Sequence, residues 1–229
     1  MDYLVDLLCE YDIKDRDIIV IAETIVSKLE GNIIERKNIK PSKKALLLSK
    51  ILDKPPETVQ IILNESKEIL KIGNKFIITE THHGFVCANS GVDESNSYEY
   101  IKPLPKNPDK SAKYIKNKIK EKTGKNVAVI INDSVGRPFR KGSVGLAIGV
   151  CGILPLWNRV GEKDLFGREL KTTEVGIVDE LSAAASVVMG QCDEGIPVVI
   201  IRGANVPYTD EDVNIKSILR EKDDDIFRY

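Results

Sequence analysis

Three short runs of almost unbroken branched aliphatic residues constrain this chain more than any other feature. They are DIIVIAE (17–23), NVAVIIND (126–133) and PVVIIRG (197–203). Each is shorter than an ordinary helix and is bounded by polar, charged or glycine residues, so each reads as a strand, the first of them buried. Segments of helical period fall around and between them. A helix is expected at about 2–11, and KKALLLSKILDK forms another until Pro55 and Pro56 break it. ETVQIILNESKEIL (57–70) resumes as an amphipathic helix with Val59, Ile62, Leu63 and Ile69 on one face. KFIITET returns to strand character, a lysine-rich helix covers about 109–123, and EVGIVDELSAAASVVMG (174–190) is a long helix. Strands and helices alternate along the chain, so the class is mixed α/β (α+β). The 229 residues are read as one domain, with an outer portion of about 1–80 plus 196–229 and a middle portion of about 81–195.

Composition removes several classes of function. A formal charge of −1 and an aromatic content of 6% give no electrostatic footprint or stacking surface for nucleic acid. No apolar stretch reaches the roughly 18 residues that a membrane span needs. MDYLVDLLCEYD carries acids where a signal peptide carries bases. The four cysteines (Cys9, Cys87, Cys151, Cys192) stand far apart with no CxxC pair, as in a protein of the reducing cytoplasm.

The stretch NDSVGRPFRKGSVGLAIGV (132–150) carries the clearest chemistry. Asp133 is expected at a strand end, where ligands gather in α/β sheets, and Ser134 follows it at once. An acid beside a hydroxyl offers two oxygen ligands to a divalent cation, and magnesium and manganese share such oxygens with phosphates and water. Arg137, Arg140 and Lys141 then suit phosphate oxygens. The alternative is an Asx- or Ser-type turn with a solvated basic loop. Seven of the sixteen glycines fall between 136 and 167, which predicts hairpins and tight turns.

NSGVDESN (89–96) begins as a tight turn. Asp93 and Asn96, spaced i and i+3, share a face if they lie on a helical turn, where Asp93 is a second carboxylate for a metal and Asn96 contacts a ligand. The competing reading is a helix N-cap. In SAAAS (182–186) the small residues imply close approach to another element. Gly190 is a candidate C-cap, which frees the polar residues of MGQCDEG to reach a ligand. His82 and His83 point to opposite sides of a strand, so a two-histidine metal site is disfavoured. Walker, GxGxxG, GxSxG and HExxH sequences are all missing.

The stretches HGFVCANSGVDESN, NDSVGRPFRKGSVGLAIGVCGILPL, GEKDLFGRELKTTEVGIVDELSAAASVVMG and PVVIIRG, in this order, resemble the coenzyme F-420 gamma-glutamyl ligases. IAETIVSKLEG near the start is also similar to that family, so the resemblance runs from about residue 12 to 205. It implies two intertwined subdomains with no Walker P-loop, and a cytoplasmic homodimer. It also implies attachment of L-glutamate to the lactyl carboxylate of a deazaflavin coenzyme precursor through an acyl phosphate, with GTP converted to GDP and phosphate. Some members add a second, gamma-linked glutamate. The implied cofactors are two Mg2+ or Mn2+ ions, with K+ as a further ion. By matching positions, Asp93 and Asp133 are ligands of one metal, and Ser134 and Gln191 of a second. Glu23, Thr24, Lys28 and Asn96 contact the nucleotide, as do Val187, Val188, Met189, Gly190, Gln191, Cys192, Asp193 and Glu194. Asp133, Arg137 and Lys28 are the catalytic candidates. Ser134 stands where the family has threonine. The family also begins with a further strand and loop, and Met1 falls about where that segment ends, so an exposed sheet edge and weakened nucleotide binding are expected. The other readings of the same residues are an amide ligase with another acceptor, and a catalytically silent protein that binds nucleotide or deazaflavin.

Overall fold

The computed structural model describes residues 1–96 and 99–227. In chain order its elements are α1 (Asp2–Cys9), β1 (Ile18–Ala22), α2 (Glu23–Leu29), β2 (Ile34–Glu35), α3 (Lys43–Leu52), α4 (Pro56–Glu65), β3 (Ser66–Ile72), β4 (Ile77–Thr81), β5 (Val86–Ala88) and β6 (Tyr100–Ile101). They continue as α5 (Pro108–Thr123), β7 (Ala128–Arg137), β8 (Arg140–Cys151), β9 (Trp157–Asn158), β10 (Glu174–Val175), α6 (Ile177–Met189) and β11 (Val198–Ile201). The chain is therefore α+β. It divides into two compact units. The first holds Met1–Ile21, Pro108–Asn132 and Gly145–Ile218, and the second holds Ala22–Asn107, Asp133–Val144 and the residues from Leu219 onward. The sequence suggested one crossing near each end of a middle portion. The division into units falls inside β1, β7 and β8, and also between Asn107 and Pro108 and between Ile218 and Leu219.

The first unit is built on the three aliphatic runs. A four-stranded sheet has the order β11-β1-β7-β8, with β1 antiparallel to β11 and Ile18 opposite Ile201. Ile18, Ile19, Val20 and Ile21 are fully buried, as are Ala128, Val129, Ile130 and Ile131. Strands covered on both faces need no alternation, which explains their unbroken apolar character. Helix α1 packs on α5, contributing Leu4, Val5 and Leu8, while α5 buries Ala112, Ile115 and Ile119. Arg202, just past β11, forks onto Asp17, just before β1: Nε lies 2.8 Å from Oδ1 and a terminal nitrogen 2.7 Å from Oδ2.

The second unit packs α3 against α4 over the three-stranded sheet β3-β4-β5. Its core joins Ala45, Leu48, Leu52, Val59, Ile62 and Ile77. Ser42 caps α3 by accepting the Ala45 N–H at 3.2 Å. Pro56 opens α4 at a position whose N–H has no helical partner in any case, so the proline pair starts a helix as well as ending one.

Four local expectations are corrected. The amphipathic helix expected over 57–70 stops at Glu65, and 66–72 is a strand. The Ser66 hydroxyl donates to the Ile62 carbonyl at 2.5 Å and closes the helix. Ile69 still packs against the same core from the strand, so its spacing imitated the helix. The long helix begins at Ile177, and Glu174–Val175 form β10, paired with β9. Asp133 is not at a strand end, because β7 runs on to Arg137 as one arm of a hairpin with β8. Residues 93–96 are not helical: Asp93 makes an isolated antiparallel bridge with Lys102, and Asn96 has φ +53° in a turn.

Candidate functional site

Four segments of the second unit bring the acidic residues of the sequence together. Helix α2 follows directly on β1, which puts Glu23 at its first position and Lys28 in its last turn, exposed. The Ser27 hydroxyl donates to the Pro103 carbonyl at 2.8 Å, and the Asn32 amide donates to the Leu104 carbonyl at 2.7 Å. Both bonds tie α2 and its exit to the segment that follows Lys102.

Asp93 is held from both sides. Before it, Asn89, Ser90 and Gly91 have φ of +54°, +56° and +67°, a left-handed turn in which two residues are not glycine. Such backbone is costly for L-residues and persists where the surroundings over-determine it. Here they do. Ser90 is buried, and its hydroxyl reaches the Ile62 carbonyl at 3.0 Å and the Ser66 and Thr79 hydroxyls at 2.8 Å each. A Cβ on Gly91 would lie 2.7 Å from Leu104 Cδ2, so only glycine fits. After the turn, the backbones of Asp93 and Lys102 exchange two hydrogen bonds of 2.9 Å. Asp93 Oδ1 accepts the Ser95 N–H at 2.8 Å, and Oδ2 lies 2.9 Å from Lys102 Nζ. The next residue, Glu94, takes the Arg36 guanidinium at 2.7 Å and the Thr58 hydroxyl.

Asp133 is 8% exposed, and its Oδ1 accepts the Ser134 N–H at 2.6 Å. Burial pushes its carboxyl up to about 8; the charges of Glu23 and then Asp93 push the same way, against the Ser134 hydrogen bond. Burial also raises Glu23, the Thr24 hydroxyl opposes this by donating at 2.5 Å, and the Asp93 charge adds to the rise. The Asp93 charge thus acts on both Glu23 and Asp133. Among the described residues no lysine or arginine makes an ion pair with Glu23 or Asp133, and Lys102 pairs with Asp93. Like charges gathered in a partly buried place favour a proton or a cation. Cys87 lies close enough for Asp133 to matter, and its thiol, raised to about 12 by burial and then by that charge, is inert.

Among the described residues, no group of three or more His, Cys, Asp or Glu side chains is arranged to hold a metal by itself. The two histidines take backbone partners, His82 the Asn64 carbonyl and His83 the Pro105 carbonyl, both at 3.0 Å. Ser134 is exposed beside Asp133. The Arg137 guanidinium donates to the Gly142 carbonyl across the hairpin at 3.0 Å, and Arg140 and Lys141 are exposed.

The remaining sequence candidates lie in the first unit. At the end of α6, Val187 and Val188 are exposed, while Met189 is buried with its sulfur 3.7 Å from Asn132 Nδ2. Gly190 has φ +73° and passes so close to Glu194 that a Cβ would sit 2.0 Å from its carboxyl carbon. The Glu194 carboxylate accepts the Cys192 N–H at 2.8 Å. Backbone hydrogen bonds to Cys192, to Glu194 itself and to Gln191 hold its pKa below the usual carboxylate range. Backbone N–H groups converging on one carboxylate form a cradle that suits an oxyanion. The close approach expected of the small α6 residues is present as well: a Cβ on Gly145 of β8 would lie 2.5 Å from the Ser182 carbonyl oxygen.

Sequence reasoning missed Lys102 and the Arg36–Thr58–Glu94 group. The one available signal for Lys102 was a lysine set among the apolar residues of YIKPLP. Nothing local joined Arg36 to Glu94.

The acidic residues Glu23, Asp93 and Asp133 are thus carried on an α+β scaffold that has no Walker sequence. Comparison with known proteins gives the family. The model of the F420-0:gamma-glutamyl ligase family matches residues 2–203, and this chain belongs to that family. It is 65% identical over 228 residues to a coenzyme F420:L-glutamate ligase of Methanococcus maripaludis strain C7, covering 99% of this chain and 91% of the relative. The corresponding ligase of Methanocaldococcus jannaschii is 64% identical, over 98% and 90% of the two chains. That of Methanopyrus kandleri is 45% identical, over 99% and 92%.

Proposed function

We propose that this protein joins L-glutamate to the lactyl carboxylate of the deazaflavin coenzyme precursor, using GTP, as a cytoplasmic homodimer. The observation that carries this reading is that burial and the Asp93 charge raise both Glu23 and Asp133, a crowding of negative charge that a divalent cation would relieve. The donor set fits such an ion: hard carboxylate oxygens with a serine hydroxyl alongside, too few to enclose a metal without phosphate or water. Asp93 and Asp133 would hold Mg2+ or Mn2+, and the ion would supply charge neutralisation to a triphosphate. Lys28, Arg137, Arg140 and Lys141 provide cations for the phosphates and for the phosphodiester of the acceptor. In the first step the lactyl carboxylate oxygen takes the terminal phosphoryl group, the bond to the leaving GDP breaks, and an acyl phosphate forms. The glutamate amine then attacks the acyl carbon, the carbon–nitrogen bond forms, phosphate leaves, and the amine proton passes to solvent or to phosphate. What this asks of the chain is positioning and electrostatics more than covalent chemistry.

The test is Asp133→Asn, which keeps shape and removes the charge. Metal-dependent formation of glutamyl product should fall at least about a hundredfold, on the scale of losing a preorganised electrostatic contact. The circular dichroism spectrum should stay that of the parent. Parental rates in this variant would overturn the assignment.

A further inference from the structure

Lys102 is 2% exposed, and burying an ammonium group is expensive unless it is paired. Its Nζ lies 2.9 Å from Asp93 Oδ2 and donates to the Ser95 carbonyl. The charge of Asp93 in turn raises the carboxyls of Glu23 and Asp133. The lysine therefore does more than satisfy a stray acid: it brings one positive charge to the carboxylate whose own charge acts on Glu23 and Asp133.

We propose that Lys102 is the fixed internal counter-ion of this cluster and limits how tightly the cluster takes a divalent cation. It is a positioning residue, acting through Asp93. This rests on the reading of Asp93 and Asp133 as cation ligands. The geometry separates its charge from its structural role. Asp93 is already fastened by the two backbone bonds to Lys102, which any residue at 102 retains, and by Ser95, whose N–H and hydroxyl donate to it at 2.8 and 3.0 Å. Removing the ammonium therefore leaves the carboxylate in place with its charge uncompensated. Unit charges a few ångströms apart interact strongly at the dielectric of a protein site, so the cluster should then hold an added cation more firmly. A bound ion would share Asp93 with the lysine, and the lysine keeps the cluster from closing on the ion so tightly that it cannot be exchanged.

The experiment measures Mn2+ binding to the full chain by electron paramagnetic resonance and calorimetry, with no nucleotide or acceptor present. Lys102→Met should bind Mn2+ at least about tenfold more tightly than the parent, and Lys102→Arg, which restores the charge, should return to the parental value. Lys102→Gln, which keeps a donor for the Ser95 carbonyl, carries the same expectation should the methionine variant not fold. Unchanged or weaker binding in a folded, neutral variant overturns the proposal, as does an arginine variant that behaves like the neutral one. A parent chain that binds no Mn2+ refutes the cation site itself, a different result from a parent that binds and a variant that does not tighten.

Discussion

The Ser90 hydroxyl lies 3.0 Å from the Ile62 carbonyl, so the left-handed turn that leads into Asp93 is fastened to the last turn of α4. The core of the second unit and the acidic cluster are thus joined through one buried serine. Ser90→Ala removes that bond and the contacts to Ser66 and Thr79, and should cost about 1–3 kcal/mol by urea unfolding. Mn2+ affinity should fall with it, because Asp93 loses the support behind its turn. Ser90→Val, which also disfavours positive φ, should cost more than alanine. A destabilisation without loss of Mn2+ binding would detach the turn from the site.

The close approach of β8 to α6 sets a second expectation. A methyl group at Gly145 would meet the Ser186 hydroxyl at 2.0 Å, Asn132 Oδ1 at 2.4 Å and the Ser182 carbonyl at 2.5 Å. The hydroxyl can rotate away, but the backbone oxygen cannot. Gly145→Ala should therefore cost about 1–3 kcal/mol in thermal or urea unfolding. Parental stability would mean that α6 moves freely from the strand.

The Asp17–Arg202 fork gives an acid-side prediction. Burial alone would raise Asp17, but the Arg202 hydrogen bonds, the Lys14 N–H and the arginine charge bring it below its usual value. A lowered folded-state value means stability present above the ordinary carboxylate range and lost as pH falls through the lowered value. Asp17→Asn should cost about 2 kcal/mol near neutral pH, and less as the pH drops toward 3. A cost that does not change with pH would assign the bond a packing role only.

Asp133 has the opposite sign. Its carboxyl, raised to about 8, binds its proton in the folded chain at pH values where the unfolded chain has released it. Without metal, this group therefore lowers stability as pH rises from about 4 to about 8. Asp133→Asn should raise the unfolding temperature at pH 8 by at least about 2 °C and leave it nearly unchanged near pH 4. Millimolar Mn2+ at pH 8 should raise it in the parent and not in the variant. A parent and a variant with parallel pH profiles would contradict the cluster.

Much of the fold was legible because burial on both faces leaves a plain mark: 18–21 and 128–131 are aliphatic without interruption, and they are the central strands. The end of α4 was not legible, because Ile69 serves the same core from a strand that it would have served from a helix. Asp93 and Asp133 were proposed as oxygen donors and by resemblance, and the Asp93 charge adds to the rise of the Asp133 carboxyl. The setting of Asp93 was misread, since three successive positive φ values at Asn89, Ser90 and Gly91 arise from contacts with residues 62, 66, 79 and 104, far away in sequence. Lys102 was missed for the same reason: its partner is a carboxylate across a bridge, and sequence spacing carries no sign of it.

Glutamate ligation is tested by a single-turnover reaction of this chain with GTP, Mn2+, L-glutamate and the lactyl deazaflavin phosphodiester, read by mass spectrometry. An acceptor heavier by one glutamyl residue is expected, with GDP released in equal amount, both abolished by Asp133→Asn. GTP turnover that proceeds without glutamylated product, or product that forms equally well without GTP, would contradict it.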